Sequence, residues 1–393
     1  MNTSARPLRA LFYVQHLSGV GHYVRTLEIA KAMSRHHQVW MLDGGQAVPS
    51  PDFGQTQKLA LPRIQRRDGK LVPVENGDCS ITATMVARKE ALAEAIARIR
   101  PHVVVIEHYP FSKWELADEI GWMLKCARDA QPTVKVICSV RDIPLQTRHE
   151  ACPPIQYADA VVQRLNDQFD ALMVHSDPKL ARLDTFFTAA DRIRIPVEHT
   201  GIVAERLALP GRAKKTIIVS AGGGKDAVGL LDCASAAWHG LRGASMLDGY
   251  RMQLFGGLGT REAQAASTYG IEWRPFSASY LQSMRSSSLS ISCAGYNTCA
   301  NILSTGCRAI LVPNVAMSDQ IARAKIMQGL GIPVIEQSPP SPKVMAESIL
   351  DCLEHSTPHH EADLNGANRS AALIASLAGW LNQAGPFPAP DMS

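Results

Sequence analysis

The sequence predicts an α/β protein made of two doubly wound parallel sheets, and three observations carry that expectation. Short, continuous apolar runs recur along the chain, each bounded by glycine-containing loops and alternating with helical patterns. One local plan of strand, glycine loop and helix occurs twice, once near the start and once near the middle. At 393 residues the chain exceeds one comfortable core and suits two domains.

The elements follow in order. Ala10–Val14 reads as a buried strand and Ser18–His22 as a loop. Tyr23–Ser34 reads as a helix with Val24, Leu27, Ala30 and Met33 on one face. Further strands of the first half are expected at Val39–Leu42, Val103–Ile106, Val134–Cys138, Ala171–Val174 and Ile193–Pro196. Thr216–Ser220 opens the second half, followed by the loop Ala221–Lys225 and a helix through Leu230, Leu231 and Ala234. Met252–Phe255, Ile271–Trp273, Leu289–Ser292, Ala309–Val312 and Val334–Ile335 supply its remaining strands. Pro210-Gly211 and a basic cluster interrupt the pattern, so the domains are expected at residues 1–205 and 206–370. A last apolar helix, Ala371–Leu381, and a loose proline-rich tail occupy residues 371–393.

Composition narrows the function classes. Apolar content of 46% and charged content of 19% describe an ordinary globular chain. The net charge of +4, from 40 basic and 36 acidic residues, is too mild and too evenly spread for a nucleic-acid partner. Nine irregularly spaced cysteines argue against a disulfide framework and for a reducing compartment. No apolar run approaches the roughly 18 residues of a spanning helix, and the N-terminus lacks a signal-peptide pattern. A cytoplasmic protein is expected.

Three loops carry chemistry. In Gly19-Val-Gly-His-Tyr-Val24 the glycines Gly19 and Gly21 permit a tight turn into a helix, with His22 directly after them. Asp43 lies at the spacing of a dinucleotide fingerprint, but Val24 stands where that motif needs its third glycine. In Ser220-Ala-Gly-Gly-Gly-Lys225, Gly222, Gly223 and Gly224 can turn successive backbone N–H groups into an anion nest, and the P-loop pattern is absent. In Ser292-Cys-Ala-Gly-Tyr-Asn-Thr298 a strand runs through a small-residue turn into a helix, where a phosphate can lie against exposed N–H groups. Cys293, Cys299 and Cys307 lack the paired short spacing of zinc sites and read as small buried hydrophobes, so no metal is expected.

The last of these segments, through Gly306, Cys-Arg-Ala-Ile-Leu-Val-Pro313 and Asp319-Gln320, resembles the glycosyltransferase family 28 C-terminal domain of MurG-like enzymes. The Gly-x-Gly-His loop resembles their N-terminal loop and that of related nucleotide-sugar hydrolases. Ile106-Glu-His-Tyr-Pro-Phe111, Cys138-Ser-Val-Arg-Asp-Ile-Pro144, Val174-His-Ser-Asp-Pro178 and His199-Thr-Gly-Ile-Val203 resemble, in order, a bacterial branch of predicted MurG-like glycosyltransferases.

The resemblance implies a GT-B fold, two Rossmann-like domains facing a central cleft. It implies an inverting, metal-independent hexosyltransferase without a cofactor, using a nucleotide diphosphate sugar, UDP-linked by preference, on an unidentified acceptor hydroxyl. His22 is then expected as general base, a task suited to an ordinary histidine pKa near 6.5, with Glu107 and His108 as further catalytic candidates. Gly222–Gly224, Phe276, Gly295, Tyr296, Asn297, Thr298, Asn301, Asp319, Gln320 and Arg323 are expected to bind the donor. Gly19, Gly21, Arg141 and Asp142 would line the acceptor side.

One departure stands out: Asn301 occupies the place where MurG-type enzymes carry a ribose-binding Glu. An amide still hydrogen-bonds a hydroxyl but removes the charge. A hydrolase, an epimerase and a non-catalytic binding protein therefore stay open beside the transferase. The resemblance also implies peripheral membrane contact, for which Phe111, Trp114, Leu116 and Trp122, near Lys113 and Lys125, are candidates against simple core packing.

Overall fold

Two parallel sheets form where the continuous apolar runs are. The structure, a computed structural model, describes residues 7–17, 19–48, 51–74, 80–144, 154–205, 214–220, 222, 228–256, 270–274, 280–336, 340–355 and 359–379. The chain divides into two units, Met1–Ala47, Asp52–Val203 and Asn365–Ser393 in the first, Val48–Pro51 and Ala204–Leu364 in the second.

The first unit opens with strand β1 (Arg9–Val14), helix α1 (Gly21–Ser34), β2 (Gln38–Asp43) and β3 (Gln57–Ala60). A hairpin of β4 (Ile64–Arg67) and β5 (Lys70–Pro73) turns at Asp68-Gly69, both in the left-handed region, as such hairpins need. Next come α2 (Ile81–Ile99), β6 (Val103–Glu107), α3 (Ala117–Ala130), β7 (Lys135–Arg141), α4 (Pro154–Gln168), β8 (Ala171–His175), α5 (Leu183–Phe186) and β9 (Val197–His199). The seven-stranded sheet runs β3-β2-β1-β6-β7-β8-β9, and every pairing in it is parallel. Its order reverses between β1 and β6, the switch point at whose carboxyl ends ligands of such sheets bind.

The second unit holds β10 (Lys214–Ser220), α6 (Val228–Gly243), β11 (Arg251–Phe255), β12 (Ile271–Arg274), α7 (Tyr280–Ser286) and β13 (Ser287–Ser292). It continues with α8 (Tyr296–Thr305), β14 (Ala309–Leu311), α9 (Ser318–Gly329) and α10 (Pro342–Glu354). Its parallel sheet runs β12-β11-β10-β13-β14, with the switch between β10 and β13. Leu289 and Ile291 of β13 join the apolar core under α6 and α10, so Ser290 and Ser292 face the other side, as the two-residue strand period requires.

Helix α11 (Gly366–Leu377) packs on α1 in the first unit, and Val203 pairs with Asn365 at its start. Gly366 is required there. A Cβ would lie 2.5 Å from the Gly201 carbonyl oxygen, which belongs to rigid backbone.

One expectation needs correction. The strand anticipated at Ile193–Pro196 is β9, later in the chain, because Pro196 has no N–H and pairing begins with its carbonyl accepting from Leu172. Of the two readings of the Phe111–Trp122 stretch, membrane patch or core packing, core packing holds for most of it. Phe111 and Leu116 are fully buried, Lys113 is buried, and Trp114 is half-buried and stacked on Tyr157; only Trp122 and Lys125 are exposed. Among the described residues, no helix is long and apolar enough to cross a membrane.

Candidate active site

At the switch point of the first sheet, the last residue of β6 meets the first turn of α1. Glu107 is buried, and five groups converge on it. Its Oε1 accepts from Arg25 and lies 2.9 Å from His22 Nδ1. Its Oε2 accepts from Ser139 of β7 at 2.9 Å and from Thr26 at 3.3 Å, while Lys113 Nζ donates to its carbonyl oxygen at 3.4 Å. Burial alone would raise the Glu107 pKa, yet Arg25, His22 and Lys113 hold it well below the usual carboxylate range. An ionised carboxylate only accepts, so it fixes the Nδ1–H tautomer of His22 and leaves Nε2 with its lone pair.

His22 is the exposed member of this group, at 25% of its side chain. Burial pushes its pKa down to about 3, against the opposing pull of Glu107, so the imidazole is neutral near pH 7. Its ring sits edge-on to that of His108, with centroids 4.8 Å apart. His108 adopts the left-handed backbone region, and its Nδ1 lies 2.9 Å from Ser112 Oγ.

A hydrogen-bonded line continues inward from Glu107. Ser139 Oγ lies 2.8 Å from His175 Nε2, and His175 Nδ1 lies 2.9 Å from Thr200 Oγ1 and 3.4 Å from Ser370 Oγ of α11. Fully buried, His175 is pushed down to about 3 and stays neutral. The motifs quoted from the sequence contain Ser139, His175 and Thr200, while Ser370 lies in none of them. Common hydroxyl residues carry no sequence signal until the sheet aligns them.

Of the other first-unit candidates, Gly19 uses the left-handed region (φ +94°) and Gly21 opens α1. Arg141 ends β7, and buried Asp142 accepts from the Ile143 N–H at 2.7 Å, shaping its own loop. Asp43 is no ribose ligand: its carboxylate is buried, pairs with Lys58 at 2.7 Å and accepts from the Gly45 N–H. That removes the dinucleotide reading.

In the second unit, Ser220 and Ser292 end the two strands of the switch point. The Ser292 hydroxyl is buried with no hydrogen-bond partner among the described residues, an arrangement proteins rarely leave without a ligand or water to satisfy it. Burial pushes the nearby Tyr280 phenol up to about 12, against the Ser220 and Ser290 hydroxyls. Helix α8 starts at Gly295 with no side-chain cap and no acid in its first turn. Tyr296 is buried, while Asn297, Thr298 and Asn301 are half-buried. Gly222 takes φ +68° and its N–H donates to Ser220 Oγ at 3.4 Å. Gly223, Gly224 and Phe276 lie outside the described residues.

Asp319 and Arg323 are both buried and paired across one turn of α9 at 3.3 Å. Arg323 also donates to the Ala294 carbonyl at 2.8 Å, bracing the entry to α8. Gln320 Oε1 accepts from the Asn314 N–H at 3.0 Å. These three therefore hold the turn together. Among the described residues no group of three or more His, Cys, Asp or Glu side chains could hold a metal ion. A cavity of about 460 Å³ between Arg128 and Asp170 lies where β7 and β8 begin, at the opposite end of the sheet from Glu107.

Residues 252–377 match the model of the glycosyltransferase family 28 C-terminal domain. The match covers most of the second unit and runs into α11. Solved structures extend the likeness to the whole chain. The calicheamicin glycosyltransferase CalG4 superposes with a TM-score of 0.56 at 14% identity, over 97% of this chain and 100% of its own. Arabidopsis thaliana UGT89C1, solved with quercetin, gives 0.56 at 11% identity, over 95% of this chain and 94% of its own. MurG of Acinetobacter baumannii gives 0.50 at 14% identity, over 96% and 100%. At these identities the likeness is one of fold. The chain has the GT-B fold, two Rossmann-like lobes of parallel sheet and helix. No curated protein matches it in sequence.

Proposed function

We propose that this protein transfers a sugar from a nucleotide diphosphate sugar, UDP-linked by preference, to an acceptor hydroxyl. The observation that carries the reading is His22 held on buried Glu107 at the switch point of the first sheet. His22 Nε2 takes the proton of the attacking hydroxyl, and ionised Glu107 stabilises the imidazolium that forms. Attack at the anomeric carbon from the face opposite the leaving group inverts its configuration. His108 packs against the ring that moves the proton.

The second unit supplies the donor-phosphate site. The α8 N-terminus, the Ser292 hydroxyl and the Gly222–Gly224 loop meet the charge that develops on the departing diphosphate, a preorganised arrangement that asks for no metal. Asn301, Thr298 and Asn297 contact the nucleotide and sugar, and Asp319 with Arg323 keeps that turn in place. The family match over residues 252–377 and the sugar-transferring enzymes of the same fold support this assignment.

The test is a thermal-shift screen against UDP, GDP, TDP, CDP, ADP and their sugar conjugates, followed by product analysis with and without added acceptors. A ligand at 100 times its dissociation constant adds about 2.7 kcal/mol of stability. A shift confined to one nucleotide family, with sugar transferred to an acceptor, is the expected result. Free sugar formed at the same rate without acceptor would make the enzyme a hydrolase, since the same dyad can activate water. No shift with any nucleotide would overturn the reading.

A further inference from the structure

Buried positive charge lies beside His22: Arg25 and Lys113 act on Glu107, and Arg141 acts on His108. Arg25 is committed to Glu107 through its guanidinium. Lys113 is different. It is only 7% exposed, yet among the described residues its ammonium makes a single long hydrogen bond, 3.4 Å to the Glu107 carbonyl oxygen. Burying a charged ammonium with so little compensation is costly unless a counter-charge joins it.

A second group beside it is also unsatisfied. His108 is 3% exposed, and its Nε2 has no hydrogen-bond partner among the described residues. Both residues hold the left-handed backbone region, and the His108 ring packs on His22 in the first turn of α1. That helix also starts without a side-chain cap or an acid in its first turn.

We propose that Lys113 and His108 form an oxyanion subsite beside His22, so that the acceptor carries a carboxylate or phosphate group close to the hydroxyl it presents. The acceptor assignment rests on the sugar-transfer reading above; the anion subsite does not. The anion accepts from the Lys113 ammonium and from His108 in its Nε2–H tautomer, with Ser112 donating to Nδ1. Among the described residues the groups that act on Lys113 include Glu107 and His108 at the end of β6, His22 and Arg25 on α1, His16 after β1, Arg66 on β4 and Arg141 on β7. Burial and these neighbouring cations push Lys113 down to about 8, with Glu107 opposing.

The experiment uses the full chain and sulfate, whose charge is constant from neutral to alkaline pH. Calorimetric titration at neutral pH is expected to give binding that Lys113→Met weakens about tenfold or more. In the native protein sulfate affinity falls as pH rises through about 8, because the ammonium loses its proton. Lys113→Arg keeps its charge and abolishes that fall, which a purely structural lysine would not do. If Lys113→Met fails to fold, the native and Lys113→Arg pH profiles decide alone.

Sulfate binding unchanged in Lys113→Met, no dependence on pH near 8, or no sulfate binding would each overturn the subsite. Sulfate displaced by saturating UDP would give the subsite to the donor and overturn the acceptor assignment. Sulfate binding that tracks Lys113 in a protein that binds no nucleotide would keep the subsite while the sugar-transfer reading falls.

Discussion

At the residue scale, the dyad of His22 and Glu107 makes the sharpest prediction. His22→Ala removes the proton acceptor but leaves the second unit's groups untouched. We expect kcat to fall by about 10²–10⁴ while nucleotide affinity stays as it was. Retained turnover in that variant would sink the assignment of His22 as base. Reading His22 from the sequence was possible because a histidine directly after a glycine turn, at the mouth of a helix, is a local arrangement. Glu107 was legible in the motif that follows the apolar run expected as a strand at Val103–Ile106. The groups around them were not, since the contacts of Glu107 with Ser139 and of His175 with Ser370 span 32 and 195 positions and depend on sheet order and helix return.

At the element scale, buried polar contacts tie helices to sheets. Arg88 of α2 is fully buried and bonds Glu119 of α3 through two hydrogen bonds of 2.7 Å, with Tyr13 of β1 donating to the same carboxylate. Removing one member of such a set leaves a charge unpaired in the core, so the three act as a unit. The start of α11 is held by sterics instead. Gly366→Ala would drive a methyl into the carbonyl oxygen of Gly201 and the backbone of Ile202. A loss of about 1–3 kcal/mol in urea unfolding is expected. A native-like midpoint would mean that the α11 entry can shift without cost. The apolar run placed this helix at Ala371–Leu381, whereas it begins at Gly366, a residue that reads from sequence only as a weak helix former. The contact that demands it lies 165 residues away along the chain (366 minus 201).

At the scale of the whole molecule, three histidines that the fold holds neutral make stability depend on pH. His22 and His175 are pushed down to about 3 and His37 to about 4, in each case first by burial. Above the ordinary value of 6.5 both folded and unfolded forms are neutral, and the histidines contribute nothing to the slope. Below it the unfolded chain takes up protons that the folded chain refuses. Stability therefore falls with pH from 6.5 down to about 4, at roughly 1.4 kcal/mol per pH unit per histidine once well below 6.5. A melting temperature that is flat over that window would show that these imidazoles are not held neutral by the fold.

The sequence by itself determined the alternation of strands and helices, its repetition in two halves and the glycine loops where ligands of such sheets bind. Those signals are local: apolar runs, helical periodicity and turn residues act within a few positions of one another. It also placed β9 too early and left open whether Phe111, Trp114 and Leu116 face the core or the surface, because an apolar run does not declare what will cover it. Tertiary structure alone decided that α11 packs on the first unit, that Lys113 is buried beside Glu107, and that Asp319 braces a turn with Arg323. The reason is that charge and proton affinity are set by what surrounds a group in space, and only the packed sheet and its helices supply those surroundings.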